Sequence, residues 1–152
     1  MELSQLLRDR ATIIVDDAFQ AMQRSHLKSY EQDGMDRARA RLDALYLLTV
    51  EAVAERTLGT MIAHAESVAH ERFASGFDLW EVQTAFNVLE EAIWTRIIKE
   101  LAPEQYAEAL GLVSTVLGAG KDALARAYVS LASKVKAPAL DMHSLFSGAV
   151  GA

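Results

Sequence analysis

The chain has 152 residues, enough for one domain that buries roughly 70% of the surface its unfolded form exposes, so no covalent staple is needed to hold a core. Cysteine is absent, which excludes disulfides, thiolate chemistry and cysteine-ligated zinc and fits a reducing cytoplasm. Fifteen basic against twenty-one acidic residues leave a net charge of −6, which repels a phosphate backbone and argues against nucleic acid as a partner.

Glu2, Arg8, Asp9 and Arg10 interrupt any secretory apolar core near the start. The longest uncharged run before the tail, Ala109 to Gly120, has 12 residues, short of the ~18 of a spanning helix. The expectation is a cytoplasmic protein with no membrane span. There are two prolines, and Val, Ile and Thr never alternate for long with polar residues. The pattern predicts an all-α antiparallel helical bundle of about five helices over residues 1–135, followed by a flexible apolar tail over 136–152.

The first helix is expected from Glu2 to about Arg24, where Leu3, Leu7, Ala11, Ile14, Ala18 and Met22 form one stripe, widened by Leu6, Ile13 and Phe19. Ser25 to Met35 loses the periodicity and contains the turn signal Asp33-Gly34, so a loop follows, in which His26 and Tyr30 either line a pocket or, on the favoured reading, pack over the bundle end. The second helix spans Asp36 to about Glu55, with Leu42, Leu45, Tyr46, Thr49, Val50 and Val53 inward. Its first turns carry Arg37, Arg39 and Arg41, the wrong sign for a helix N-terminus. They are either a contact for an anion or acidic partner, or a solvated face paired locally with Asp36 and Asp43.

Thr57, Gly59 and Thr60 break the register, with Thr57 as the expected cap, unless a single bent helix runs from Asp36 to Ser75. The third helix then carries Met61, Ile62, Ala65, Val68, Ala69 and Phe73 inward. At its end Gly76 suits the left-handed position after a helix. Asp78 reads as an N-cap with Glu81 three residues on as its capping-box partner, and Phe77 and Val82 stand at the two positions of a hydrophobic staple. The fourth helix, Leu79 to Leu101, presents Val82, Phe86, Leu89, Ile93, Ile97 and Leu101 on one face. Pro103 suits the first turn of a long fifth helix to about Lys134, whose stripe runs Tyr106, Leu110, Val113, Leu117, Gly120, Leu124, Ala127, Leu131 and Val135. Gly111, Gly118 and Gly120 inside it are expected to serve close approach to a neighbouring helix, or a kink at Gly118. This fifth helix and the fourth are expected to form the central pair. In the tail, Leu140, Met142, Leu145 and Phe146 suggest a tether or docking peptide.

Glu71-Arg72-Phe73, Gly76-Phe77-Asp78-Leu79, Glu81-Val82 and the run Ala85 to Trp94, with Gly118 to Leu124 downstream, resemble the N-terminal domain of RsbRD-type proteins, co-antagonists of the RsbT switch kinase. The resemblance covers most of residues 1 to 135. It implies an all-α sensory or partner-binding module of stress-response signalling, usually fused to a STAS domain or a kinase. Residues 136–152 do not read as such an output domain, so the regulated target stays open. The family implies no catalytic residue and no cofactor.

Chemistry is sought first at the histidines. His64 and His70 lie about 240° apart around one helix and cannot share a metal, although Glu66 and His70 can. The paired Glu-x-x-His of di-iron bundles is absent. His70-Glu71-Arg72 keeps a histidine phosphotransfer role for His70 as an alternative, and an axial haem ligand at His64 or His70 as another. No Gly-rich phosphate loop, Ser/His/Asp arrangement or paired acid motif appears. Trp80, Asn87, Glu91 and Trp94 on the fourth helix are the candidate ligand or partner surface, although both tryptophans equally suit core or dimer contacts. The expected function is a non-enzymatic sensory or regulatory module that binds a small apolar ligand or a signalling protein and forms a homodimer.

Overall fold

The computed structural model of the chain describes residues 1–136, which form seven α-helices and no strand. They are α1 (Leu3–Asp9), α2 (Ala11–Arg24), α3 (Lys28–Asp33), α4 (Met35–Glu55), α5 (Gly59–Ala74), α6 (Leu79–Glu100) and α7 (Tyr106–Lys136), with a 3-10 turn at Pro103–Gln105 leading into α7. Apart from Lys136, which ends α7, the tail expected at 136–152 lies outside the described residues.

Two differences from the periodicity raise the helix number from about five to seven. The stripe of the first helix continues across Arg10, yet the backbone leaves helical geometry there, at φ −107° and ψ 16°. Arg10 is held from elsewhere in the chain: its Nε donates to Glu100 Oε1 at 2.7 Å. Arg96 adds wider pairs, to Asp17 of α2 at 3.6 Å and to Glu100 one turn along α6 at 3.8 Å. The break thus carries a tie to the far end of α6, which a local pattern does not contain. The expected loop over Ser25–Met35 likewise holds a short helix, α3. Gly34 ends it at φ 110°, in agreement with the turn signal. Tyr30 is therefore not a loop aromatic with a wet tip; it is buried on α3.

The break between α4 and α5 falls where the register shift placed it, through Arg56 in a left-handed conformation at φ 53°. The N-cap is Leu58 rather than Thr57, and no side chain caps α5. The expected inward residues of α6 are all buried, Val82, Phe86, Leu89, Ile93, Ile97 and the following Leu101. α6 packs between α2 and α7, and α7 in turn packs on α5. The hub is α4, which touches all six other helices. Its Tyr46 hydroxyl donates to the carbonyl of Leu7, tying α4 to α1 inside the core.

The three glycines of α7 do not share one role. A methyl group at Gly120 would stand 2.8 Å from Phe86 Cε1 and 2.9 Å from Met61 Sδ, so this glycine lets α7 approach α5 and α6. Gly111 and Gly118 have nothing within 4 Å of such a methyl, and α7 runs through both without a break. Gly120→Ala is therefore expected to destabilise the chain by about 1–2 kcal/mol, overpacking outweighing the helix propensity gained. Gly118→Ala should stabilise it by about 0.5–1 kcal/mol. Opposite shifts of the urea midpoint are the check; equal shifts would remove the packing role from Gly120.

Candidate ligand-binding site

The corner between α5 and α6 builds the site. α5 ends in a Schellman motif, in which the Phe77 amide donates to the Arg72 carbonyl at 2.9 Å and the Gly76 amide to the Phe73 carbonyl at 3.1 Å. Gly76 takes φ 83°, the left-handed value expected of it. Asp78 and Glu81 form the expected capping box, with Glu81 Oε1 accepting the Asp78 amide at 3.1 Å. The turn is therefore rigid, and it drives Phe77 into the core.

Phe77 is the ring on which the corner is assembled. Tyr30 meets it edge-on, with centroids 4.9 Å apart. The guanidinium carbons of Arg41 and Arg72 stand 5.8 and 5.7 Å from its centroid, at cation–π distance. The Tyr128 hydroxyl from α7 donates to the Phe77 carbonyl at 3.0 Å. Burial of that phenol pushes its pKa up to about 12, so it remains a donor throughout the physiological range.

Glu81 is almost fully buried, and it does more than complete the capping box. Its Oε2 accepts the Ser29 amide at 2.8 Å and its Oε1 the Ser29 hydroxyl at 2.7 Å. One carboxylate thus caps the start of α3 and the start of α6 together. Burial works to raise its pKa, but the bonds from Ser29 and Asp78 outweigh this and hold it below the ordinary carboxylate value.

Beneath the corner lies a cavity of about 230 Å³ between α2, α3, α4, α5 and α6. Met22, Leu42, Leu45, Val68, Val82 and Phe86 give it apolar walls, and Tyr30, Arg41, His64, Ser67, Glu71 and Arg72 supply its polar groups. Arg72 is 4% exposed. Its Nη1 donates to Glu71 Oε1 at 2.6 Å, while its Nε is buried without a hydrogen-bond partner. Arg41 pairs with Asp33 at 2.6 Å and, more distantly, with Glu71 at 3.7 Å. Burial works against the Asp33 charge, yet the hydrogen bond and charge of Arg41 lower its pKa. Burial, and then the Arg72 charge, lower the pKa of His64 against the pull of Glu71, so its imidazole is neutral at pH 7. The arrangement offers fixed donors beside an apolar hollow.

The residues proposed from sequence divide between two places. Trp80, Asn87, Glu91 and Trp94 do share one stripe of α6, but it is the outward one: Trp80 is 57% and Trp94 41% exposed, with Ile98 at 49% beside them. Neither tryptophan lines the cavity beneath the corner. Asn87 accepts from Lys121 Nζ at 3.0 Å, and the same ammonium pairs with the buried Glu90 at 2.9 Å. The arginine cluster is also split. Arg37 pairs with Asp33 at the surface, and Arg39 pairs with Asp16 at 2.6 Å while lying over Phe19. Only Arg41 reaches the cavity. Of the expected local partners, Asp43 is 3.8 Å from Arg39, and Asp16 and Asp33 take the shorter pairs. His70 is exposed on α5, beside Glu66 and facing Asp122 and Arg126 across a shallow groove. Among the described residues no group of three or more His, Asp or Glu is placed to hold a metal ion, and no helix is long and apolar enough to cross a membrane.

Sequence reasoning missed Arg72 and Ser29 as site residues, and it offered Tyr30 as a pocket residue and His64 as a haem ligand without joining them to one site. Arg72 carried a usable signal, since it falls on the buried stripe of α5 with Met61, Ala65 and Ala69. A cation on an apolar stripe is costly unless it has a task. Ser29 carried none, because its partner Glu81 is 52 residues away.

No family model, curated protein or solved structure matches the chain.

Proposed function

We propose that this chain is a non-enzymatic sensory or regulatory module, of the stress-response kind that its likeness to RsbRD-type domains implies, which binds a small ligand beneath the α5–α6 corner. The observation that carries this reading is the cavity of about 230 Å³ with a buried arginine on an otherwise largely apolar wall. Pockets of that make-up, with few polar groups among apolar walls, are what small-molecule sites use. α6 connects the cavity to the surface: Val82, Ala85 and Phe86 face inward to the hollow, while Trp80, Asn87, Glu91 and Trp94 face outward. A ligand that shifts α6 would change the outer stripe, where a signalling partner or a second copy of this chain would read it.

Native mass spectrometry on protein purified without added ligand tests both halves. The expected spectrum is a dimer carrying a non-covalent adduct of about one to two hundred daltons, the size the cavity admits. Trp94→Asp should return a monomer that keeps the adduct. A dimer without any adduct would move the reading to a protein-interaction module. A monomer in the unaltered chain would remove the α6 stripe as a self-association surface.

A further inference from the structure

We propose that the cavity beneath the corner takes a small organic monoanion, its carboxylate gripped by Arg72 and Arg41 and its apolar body laid against α4 and α6. The inference rests on the reading of this cavity as a ligand site and names the chemistry the site selects.

The first argument is the state of Arg72. A guanidinium has five donors and must find acceptors when it leaves water. Here the side chain is 5% exposed, and its carboxylate partner among the described residues is Glu71, on Nη1. The Nε edge, one of those on which a guanidinium holds a carboxylate by two parallel bonds, is buried and unpartnered. Arg72 lines the hollow, so an acceptor that enters there meets a guanidinium whose hydrogen-bonding capacity is only partly used.

The second argument is the quality of the present counterion. The Glu71 side chain is 61% exposed and divided between Arg72 at 2.6 Å and Arg41 at 3.7 Å. Its hold on Arg72 is screened by water, and on displacement it returns to solvent at small cost. Arg41 is steadied from outside the cavity by Asp33, so it keeps its position when Glu71 leaves. His64, neutral at pH 7, adds a hydrogen-bonding group without a competing charge.

The third argument is size and wall chemistry. An apolar cavity of about 150 Å³ accommodates benzene, so one of about 230 Å³ has room for about nine non-hydrogen atoms. Leu42, Leu45, Val82 and Phe86 would face a bare inorganic anion with nothing but hydrocarbon. A short aromatic or branched carboxylate uses both the cations and the walls.

Benzoate and benzamide have nine heavy atoms each and differ in charge, which makes them the probe pair. Isothermal titration of the full chain is expected to show benzoate binding at least tenfold more tightly than benzamide. In Arg72→Met the preference should fall to less than about threefold, and Ala85→Phe, which fills the hollow while leaving both arginines, should abolish binding of either. Should Arg72→Met fail to fold, the benzoate preference of the unaltered chain and its loss in Ala85→Phe still decide the matter. Equal binding of the two probes would overturn the anion while leaving a small-molecule site standing. Inorganic phosphate binding as tightly as benzoate would overturn the apolar half of the proposal. No binding of either probe at millimolar concentration would overturn the ligand site itself along with its chemistry.

Discussion

Phe77→Ala should lower the unfolding free energy by about 4 kcal/mol, the usual cost of deleting a buried aromatic ring. Three independent contacts depend on that ring: the edge of Tyr30 and the two guanidinium groups of Arg41 and Arg72. Removing it opens space next to the existing cavity and leaves both cations without their aromatic face. Phe73, only part-buried and pairing with Tyr128 at 5.6 Å, is the control. Phe73→Ala should cost about half as much, since a half-buried ring has less area to lose. Chemical denaturation of the two variants in parallel is the measurement. If Phe73→Ala proved the more damaging, Phe77 would not be the centre of the corner.

Glu81→Gln should cost about 3 kcal/mol, because three hydrogen bonds to a buried carboxylate are weakened or lost and the Ser29 amide is left facing an amide group. The loss should carry a pH signature whose sign follows from linkage. The folded-state pKa of Glu81 lies below its value of 4.5 in the unfolded chain. Its contribution is therefore fully present above pH 4.5 and disappears as pH falls through the lower, folded value, where both states are protonated. The gap between the unaltered chain and Glu81→Gln is accordingly expected to be widest near pH 7 and to narrow steadily below pH 4.5. For a chain of this length a 3 kcal/mol difference corresponds to roughly 9 °C in Tm. A gap that stays constant from pH 7 to pH 3 would mean that the carboxylate charge plays no part in joining α3 to α6.

The two variants probe one construction from two directions. Phe77 holds the corner by apolar burial, and Glu81 holds it by saturating the amide ends of two helices. Both positions are visible in the sequence as members of a staple and a capping box, motifs whose partners lie within five residues. Their larger roles are not, because Tyr30, Arg41 and Ser29 come from elements that precede the corner by 36 to 52 residues.

The same division runs through the candidate site. Trp80, Asn87, Glu91 and Trp94, expected as a ligand or partner surface, do lie together along one exposed stripe of α6. Periodicity puts Val82, Phe86 and Leu89 on the buried face of α6, but it does not say that a cavity lies against part of that face rather than beside the tryptophans. The structure resolves this by placing Val82, Ala85 and Phe86 over the cavity and both tryptophans outside. Arg37, Arg39 and Arg41 were grouped by nearness along the chain, yet a helix sends residues two apart to different sides. Arg37 and Arg41, one turn apart, share Asp33, whereas Arg39 turns to Asp16, and of the three Arg41 alone lines the cavity.

The features legible along the chain are local: the all-α class, the break before Gly59, the turn at Asp33-Gly34, the left-handed Gly76, the capping box, and the buried face of α6. Each is decided by dihedral preference or by a hydrogen bond spanning a few residues, and such energies are readable along the chain. The break at Arg10, the helix within Ser25–Met35, the single close glycine at Gly120 and the placing of Arg72 at a largely apolar hollow follow from packing instead. These depend on a partner tens of residues away, Glu100, Glu81, Phe86 or Tyr30, and the pairing comes into being when the helices pack.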